Sequence, residues 1–175
     1  MQRRHIVFWV LFQILILSGC TKTDPVNVVK NGVLEMDRSV NIGSALDHYA
    51  FFKSTSWKTV RDSHIGNIVI FEGALDIDKY SGAKIEELGF TVAPEMVQRG
   101  KARLDDISFT FIAQFTVNTD GSTFQLTNSS HRMEGTNRDT KQKFSQDMPD
   151  PSNQIFRLYI YKNKPDPILL PFLLQ

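Results

Sequence analysis

Two hydrophobic periods mark out the chain. Ile42, Ala45, Leu46, Tyr49 and Phe52 recur at helical spacing and share one face. Asn41 stands just before them as an N-cap, its side-chain oxygen placed to take a free N–H of the first turn. Ser54, Thr55 and Ser56 offer competing side-chain hydrogen bonds, so the helix is expected to stop near Lys53. The second period is two. Ile107, Phe109, Phe111, Ala113, Phe115 and Val117 alternate with Ser108, Thr110, Gln114, Thr116 and Asn118, with Ile112 the exception. That pattern predicts a strand with one core face and one wet face. Asp120-Gly121 then reads as a two-residue type I′ turn. Counting outward from it pairs Val117 with Phe124 and Phe115 with Leu126, so turn and pattern specify the same register. The Phe-rich face reads as core, covered by the helix, in preference to a ligand box.

Weaker patterns fill in the rest. Residues 28–34 read as a short strand or extended lead-in broken at Asn31-Gly32. Residues 57–61 and 67–75 read as two strands around a turn at 62–66. Val69, Phe71 and Leu75 share one face of the second strand, with Ile68 and Ile70 on the other, and Trp57 is expected at the helix–sheet interface. Residues 76–104 read as an insertion, with helical turns at 84–88 and 94–98 and Pro94 in the first helical position of the latter. Residues 131–147 are polar and aperiodic and read as loop. Asp150-Pro151 resembles an N-cap followed by proline, and Ile155, Leu158, Tyr159 and Lys162 keep helical spacing. A helix is therefore preferred there over a strand. The proline-cut tail, residues 165–174, either docks along the domain or offers an apolar patch. The expected fold is α+β, an antiparallel sheet of about four strands packed against an N-terminal and a C-terminal helix.

The first twenty residues follow a different logic. Gln2-Arg3-Arg4-His5 is a short basic stretch, and residues 6–17 are apolar except for Gln13. That run is shorter than the roughly 20 residues needed to span a bilayer and fits the core of a signal peptide. Leu17-Ser18-Gly19-Cys20 resembles the lipobox of bacterial lipoproteins. The resemblance implies cleavage before Cys20, S-diacylglycerol and N-palmitoyl groups on Cys20, and attachment to a membrane outside the cytoplasm. Thr21, where inner-membrane lipoproteins carry Asp, implies the outer membrane in preference to the inner one. The expected division is a signal peptide at 1–19, a lipidated tether at 20–27 and one domain at 28–175. A second likeness rests on Val29-Lys30-x-Gly32-x-Leu34, Val40-x-Ile42-Gly43-x-Ala45-Leu46, Phe52, Trp57 and Val69-x-Phe71-x-Gly73. This set resembles a recurrent module of uncharacterised bacterial envelope proteins, which implies a small α+β domain and no chemistry.

Composition narrows the possibilities. Of 175 residues, 156 remain after removal of the first 19, enough for one real core. Without Arg3 and Arg4 the chain has 18 basic against 19 acidic residues, which gives no electrostatic reason to bind nucleic acid. Cys20 is the one cysteine, so an internal disulfide is excluded. No nucleophile elbow, P-loop, His-Glu-x-x-His or Cys-x-x-Cys occurs. His48, His64 and His131 fall on three different elements. Asp76-x-Asp78 with Gly82 departs from a calcium loop at Tyr80 and Ser81. No catalytic, cofactor or metal site is assigned. The leading expectation is a membrane-anchored envelope lipoprotein that binds a protein or another envelope component without catalysis. Alternatives are an inhibitor or immunity-type module, which requires aromatic residues exposed on the sheet, and a hydrolase, which requires a cleft where histidine and carboxylates converge.

Overall fold

The structure, a computed structural model, describes residues 24–174. Helix α1 (Pro25–Asn31) leads into a small ribbon of β1 (Val33–Leu34) and β2 (Asp37–Asn41), then helix α2 (Ile42–Asp47). Strands β3 (Phe52–Asp62) and β4 (Gly66–Leu75) form a hairpin. The following connection holds a second ribbon, β5 (Lys84–Ile85) with β6 (Phe90–Thr91), and helix α3 (Pro94–Arg103). Strands β7 (Leu104–Val117), β8 (Phe124–Asn137) and β9 (Lys143–Pro149) come next, and the C-terminal segment ends in α4 (Leu170–Leu174). The long strands make one antiparallel sheet in the order β3-β4-β7-β8-β9. The fold is α+β, with five strands where about four were expected.

One face of this sheet is the core. Val69, Phe71 and Leu75 of β4 and Phe109, Phe111, Ala113, Phe115 and Val117 of β7 are all buried there. Val29, Ile42 and Leu46 from the helices, Val97 from α3, and Phe156, Leu169 and Leu173 from the C-terminal segment are buried in the same cluster. Trp57 plugs the helix–sheet boundary as expected. Its ring packs edge-on against Phe71, 4.8 Å between centroids, and its Nε1 donates to Asp47 Oδ1 at 2.7 Å. Lys30 Nζ lies 5.1 Å from the Trp57 ring and 2.7 Å from Asp47 Oδ2. The opposite face is mixed: it holds the Lys58–Glu72 and Arg132–Asp147 ion pairs together with Val60, Ile68, Ile70 and Ile112.

The N-terminal reading is corrected in two places. Residues 28–34 were expected to be extended, yet Val28 to Asn31 belong to α1, and only Val33–Leu34 is strand. Asp24 caps this helix by accepting from the Val26 N–H at 3.1 Å, and Pro25 supplies the preset φ of a first helical position. Helical structure is thus already present from Asp24–Pro25, inside the expected 20–27 tether. The signal segment and Cys20 lie outside the described residues. Asn41 caps α2 as expected, taking the Ser44 N–H at 2.6 Å. The helix ends at Asp47, earlier than Lys53, and Phe52 opens β3 while staying on the buried face.

The long hairpin keeps its expected register, Val117 with Phe124 and Phe115 with Leu126. Its turn is not type I′, which needs positive φ at both central residues. Gly121 has a positive φ of 68° and Asp120 does not. Gly121 N–H instead donates to Asn118 O at 2.9 Å, and Asn118 N–H to Thr123 O at 2.9 Å, closing a wider loop. Past Leu126 the sequence signal fails. A bulge at Thr127 shifts the pairing, so Ser129 faces Ala113 and His131 faces Phe111. Of residues 131–147, expected as loop, 131–137 complete β8 and 143–147 form most of β9, and only 138–142 are the connecting turn. The bulge turns Ser129 and His131 inward where alternation would have pointed Asn128 and Ser130. With polar residues at core positions, no hydrophobic period survives to mark the strand.

The connection between β4 and β7 is ordered throughout, with the expected turns at Glu86–Leu88 and from Pro94. The expected C-terminal helix is broken. Pro151–Asn153 is a single 3₁₀ turn with Ser152 and Asn153 at positive φ, and Phe156–Ile160 is a wider π-type turn. The tail docks, as one of its two readings had it: Leu169 and Leu173 are buried and Phe172 packs on Phe109, 5.2 Å between centroids. Gly73 gives a test of the core. A Cβ there would lie 2.5 Å from the Phe52 ring, which covers the bare strand position. Gly73→Ala should cost about 1–3 kcal/mol through overpacking, read as a lower urea midpoint at unchanged slope.

Candidate functional site

The most unusual chemistry sits inside the core. His131, turned inward by the β8 bulge, and Asp166, at the start of the docked tail, are both fully buried. His131 Nε2 approaches Asp166 Oδ2 to 2.6 Å, without the alignment of a good hydrogen bond. Asp166 Oδ1 accepts from the Ile168 N–H at 2.8 Å and so caps the 3₁₀ turn Pro167–Leu169. The Phe111 ring lies 5.1 Å from the His131 ring. Tyr49 and Tyr80 complete the cluster. Burial pushes the Tyr49 phenol well up, and the Asp166 carboxylate adds to it. Burial does the same to Tyr80, reinforced by Tyr49 and Asp166. Both phenols therefore stay neutral donors. Tyr49 gives its proton to Lys164 O at 2.8 Å, whereas Tyr80 Oη and His131 Nδ1 have no protein partner.

A second buried latch lies two residues up β8. Ser129 is fully buried, with its hydroxyl 2.7 Å from Asp150 Oδ2 and 2.9 Å from Asn153 Oδ1. Asp150 accepts from the Ile155 and Phe156 N–H groups, each at 3.0 Å. Its carboxylate is thus a cap, as the Asp150-Pro151 pair indicated, but it reaches five and six residues on. That longer reach accommodates the irregular turns that replace the expected helix.

Further bonds stitch the C-terminal segment to three other elements. Asn163 Oδ1 accepts from the Ala50 N–H at 2.8 Å. The Tyr161 hydroxyl reaches the carbonyls of Val40 and Asp37 in the β1–β2 ribbon. Lys164 Nζ pairs with Glu87 at 2.7 Å, which holds the Glu87 carboxyl below its usual range and the Lys164 ammonium above its own.

These contacts clamp the C-terminal segment to the body. Ser129 and His131 share a face of β8, yet the serine hydroxyl bonds to Asp150 and Asn153, and both residues are sealed from solvent. No nucleophile–base pair is made between them. His48, His64 and His131 do not converge: His48 Nδ1 contacts Ser44 O at the end of α2, and His64 sits exposed in the β3–β4 turn. Asp76 caps the 3₁₀ turn Ile77–Tyr80, and Asp78 pairs with Lys101 at 2.8 Å. No group of three His, Cys, Asp or Glu among the described residues is placed to hold a metal. The sheet Phe residues 71, 109, 111 and 115 are buried, and no aromatic is among the exposed large apolar side chains of the described residues. The aromatic surface that an inhibitor-type reading requires is therefore not presented by these residues.

Open depressions among the described residues include two of similar size. One of about 510 Å³ lies by Asp106, Glu134, Gly135 and Phe144, and one of about 480 Å³ by Leu34, Met36, Leu126 and Arg157. Neither contains a histidine or touches the buried clusters. Compared with known proteins, the chain matches no family model, no curated protein and no solved structure.

The sequence reading missed both clusters. Its one available signal was the repeated Asp-Pro pair: Asp24-Pro25, Asp150-Pro151 and Asp166-Pro167 each start a helical turn with the aspartate as acceptor. Removing one member of the buried pair should be severe. Asp166→Ala and His131→Ala should each lower stability by about 3–5 kcal/mol, because the other is left buried and unpaired. The double variant should lose clearly less than the sum, a coupling of about 1 kcal/mol or more in a denaturation double-mutant cycle.

Proposed function

We propose that the chain is an envelope lipoprotein, anchored by acyl groups on Cys20, whose domain binds another envelope protein or component without catalysing a reaction. The observation that carries this reading is the Leu17-Ser18-Gly19-Cys20 stretch placed a few residues before an ordered domain. Its support from the fold is the use made of the chemically capable side chains. His131, Asp166, Ser129 and Asp150 are buried and tie down the C-terminal segment. Groups used in this way stabilise a platform. What they leave for a partner is the outer sheet face, where ion pairs alternate with Val60, Ile68 and Ile70, and a surface of mixed charge.

The outer membrane is the proposed location, because Thr21 follows Cys20. The helix placement and the single-domain division from Asp24 onward belong to the same reading, as does the likeness of residues 28–75 to an envelope module.

The anchor is directly testable. Cells expressing the full chain should incorporate a fatty-acid analogue into it, and Cys20→Ser should abolish the label. The thermal midpoint of the domain should be the same in both forms, since Cys20 precedes the first capped residue. A wild-type chain that fractionates with soluble proteins and carries no label would overturn the reading. Cross-linking pull-downs from envelopes then test the binding role, and capture of no envelope component would count against it.

A further inference from the structure

The domain begins so soon after Cys20 that its orientation on a membrane is constrained. Between Cys20 and Asp24 stand three residues, Thr21, Lys22 and Thr23. Asp24 is already committed, its carboxylate capping α1 at the Val26 N–H and its carbonyl accepting from the Val28 N–H at 3.1 Å. Helix α1 is itself fixed to the body. Val29 is fully buried, Lys30 pairs with Asp47, and a Cβ on Gly32 would collide with the Phe124 ring.

Whatever conformation those three residues take, their reach is bounded. At about 3.3–3.6 Å per residue, the Cys20 and Asp24 Cα atoms can be at most about 14 Å apart. Acyl chains in the hydrocarbon place the Cys20 backbone at headgroup depth, a layer about 5–8 Å thick. A domain of about 150 residues has a radius of gyration near 15 Å, hence a width of about 40 Å. The tether is then shorter than half the width of the body that it holds, so the domain is unable to turn over on it.

We infer that the start of α1 is a membrane-contact surface, holding the folded domain directly against a phospholipid headgroup layer. This inference rests on the proposed lipidation of Cys20. Helix α1 packs on the core face of the sheet, so the opposite face bearing Lys58, Glu72, Arg132 and Asp147 lies on the far side of the sheet from the anchor. That face is left clear of the helix layer for a partner.

The test uses the lipidated full chain in vesicles of phosphatidylethanolamine and phosphatidylglycerol that contain brominated phosphatidylcholine as quencher. Asn27, exposed on α1, and Ser145, exposed on β9, are replaced singly by Cys and labelled with a small fluorophore. Acylated Cys20 does not compete for the label. Quenching at Asn27→Cys should exceed that at Ser145→Cys several-fold. A flexible Gly-Ser insert of about 20 residues between Thr23 and Asp24 should bring the two close to equality. Fatty-acid labelling of the same preparations separates the two possible failures. Acylated protein with equal quenching at both sites, or with quenching at Asn27→Cys unchanged by the insert, would overturn the contact surface and leave the anchor intact. Absence of acylation would overturn the anchor, and the contact surface with it.

Discussion

A histidine and an aspartate are buried together in the middle of a phenylalanine core, and the rest of the fold accommodates them. Taking both groups out of water is costly unless each finds a polar partner. His131 comes from the sheet and Asp166 from a segment 35 residues further on, so the two approach to 2.6 Å only when that segment crosses under β8. The same crossing brings Ser129 to Asp150, Tyr49 to the Lys164 carbonyl and Tyr161 to the β1–β2 ribbon. One placement of the tail therefore meets several polar demands at once. Misplacing it would leave several buried groups unpaired, which gives the closed arrangement its selectivity over looser packings.

Burial of apolar area supplies the complementary term. Helices α1 and α2 cover the β3–β4–β7 half of the core face, where β7 is uniformly apolar. The C-terminal segment covers the β7–β8 half, where Phe156 stacks on Phe111 with 5.9 Å between centroids. The π-type turn at Phe156–Ile160 buries Phe156 and Ile160 together while Asp150 holds its leading N–H groups. The sheet margins are blunted in ordinary ways. β3 carries exposed Lys53 and Lys58, and β9 ends at Pro149, both poor templates for further strand pairing.

Legibility followed locality. The apolar face of α2, its Asn41 cap, the alternation of β7 and the first two pairs of its hairpin all depend on residues close in sequence. All of these are seen in the fold. The second half of β8 was illegible because Ser129, His131 and Gly135 share its inward positions with Met133 alone, and a one-residue bulge had already reversed the alternation. β9 was lost with it, since an edge strand half open to water needs little hydrophobic pattern. Helix α1 was missed for another reason: Asp24-Pro25 carries a start signal, but the seven-residue helix it opens shows too few turns for a period to emerge. The His131–Asp166 pair has no local signature at all. Its two members acquire meaning only through the register of β8 and the path of the tail. Cys20 is the opposite case, fully legible from its neighbours and silent about what the domain binds.

The central claim is that the tail, through its buried polar clamp, closes the core. Equilibrium urea unfolding of a chain ending at Lys164, followed by near-ultraviolet circular dichroism and dye binding, tests it most directly. The account predicts loss of the cooperative transition, with strand content retained and apolar surface exposed to the dye. A cooperative transition with the same midpoint and slope as the complete chain would contradict it.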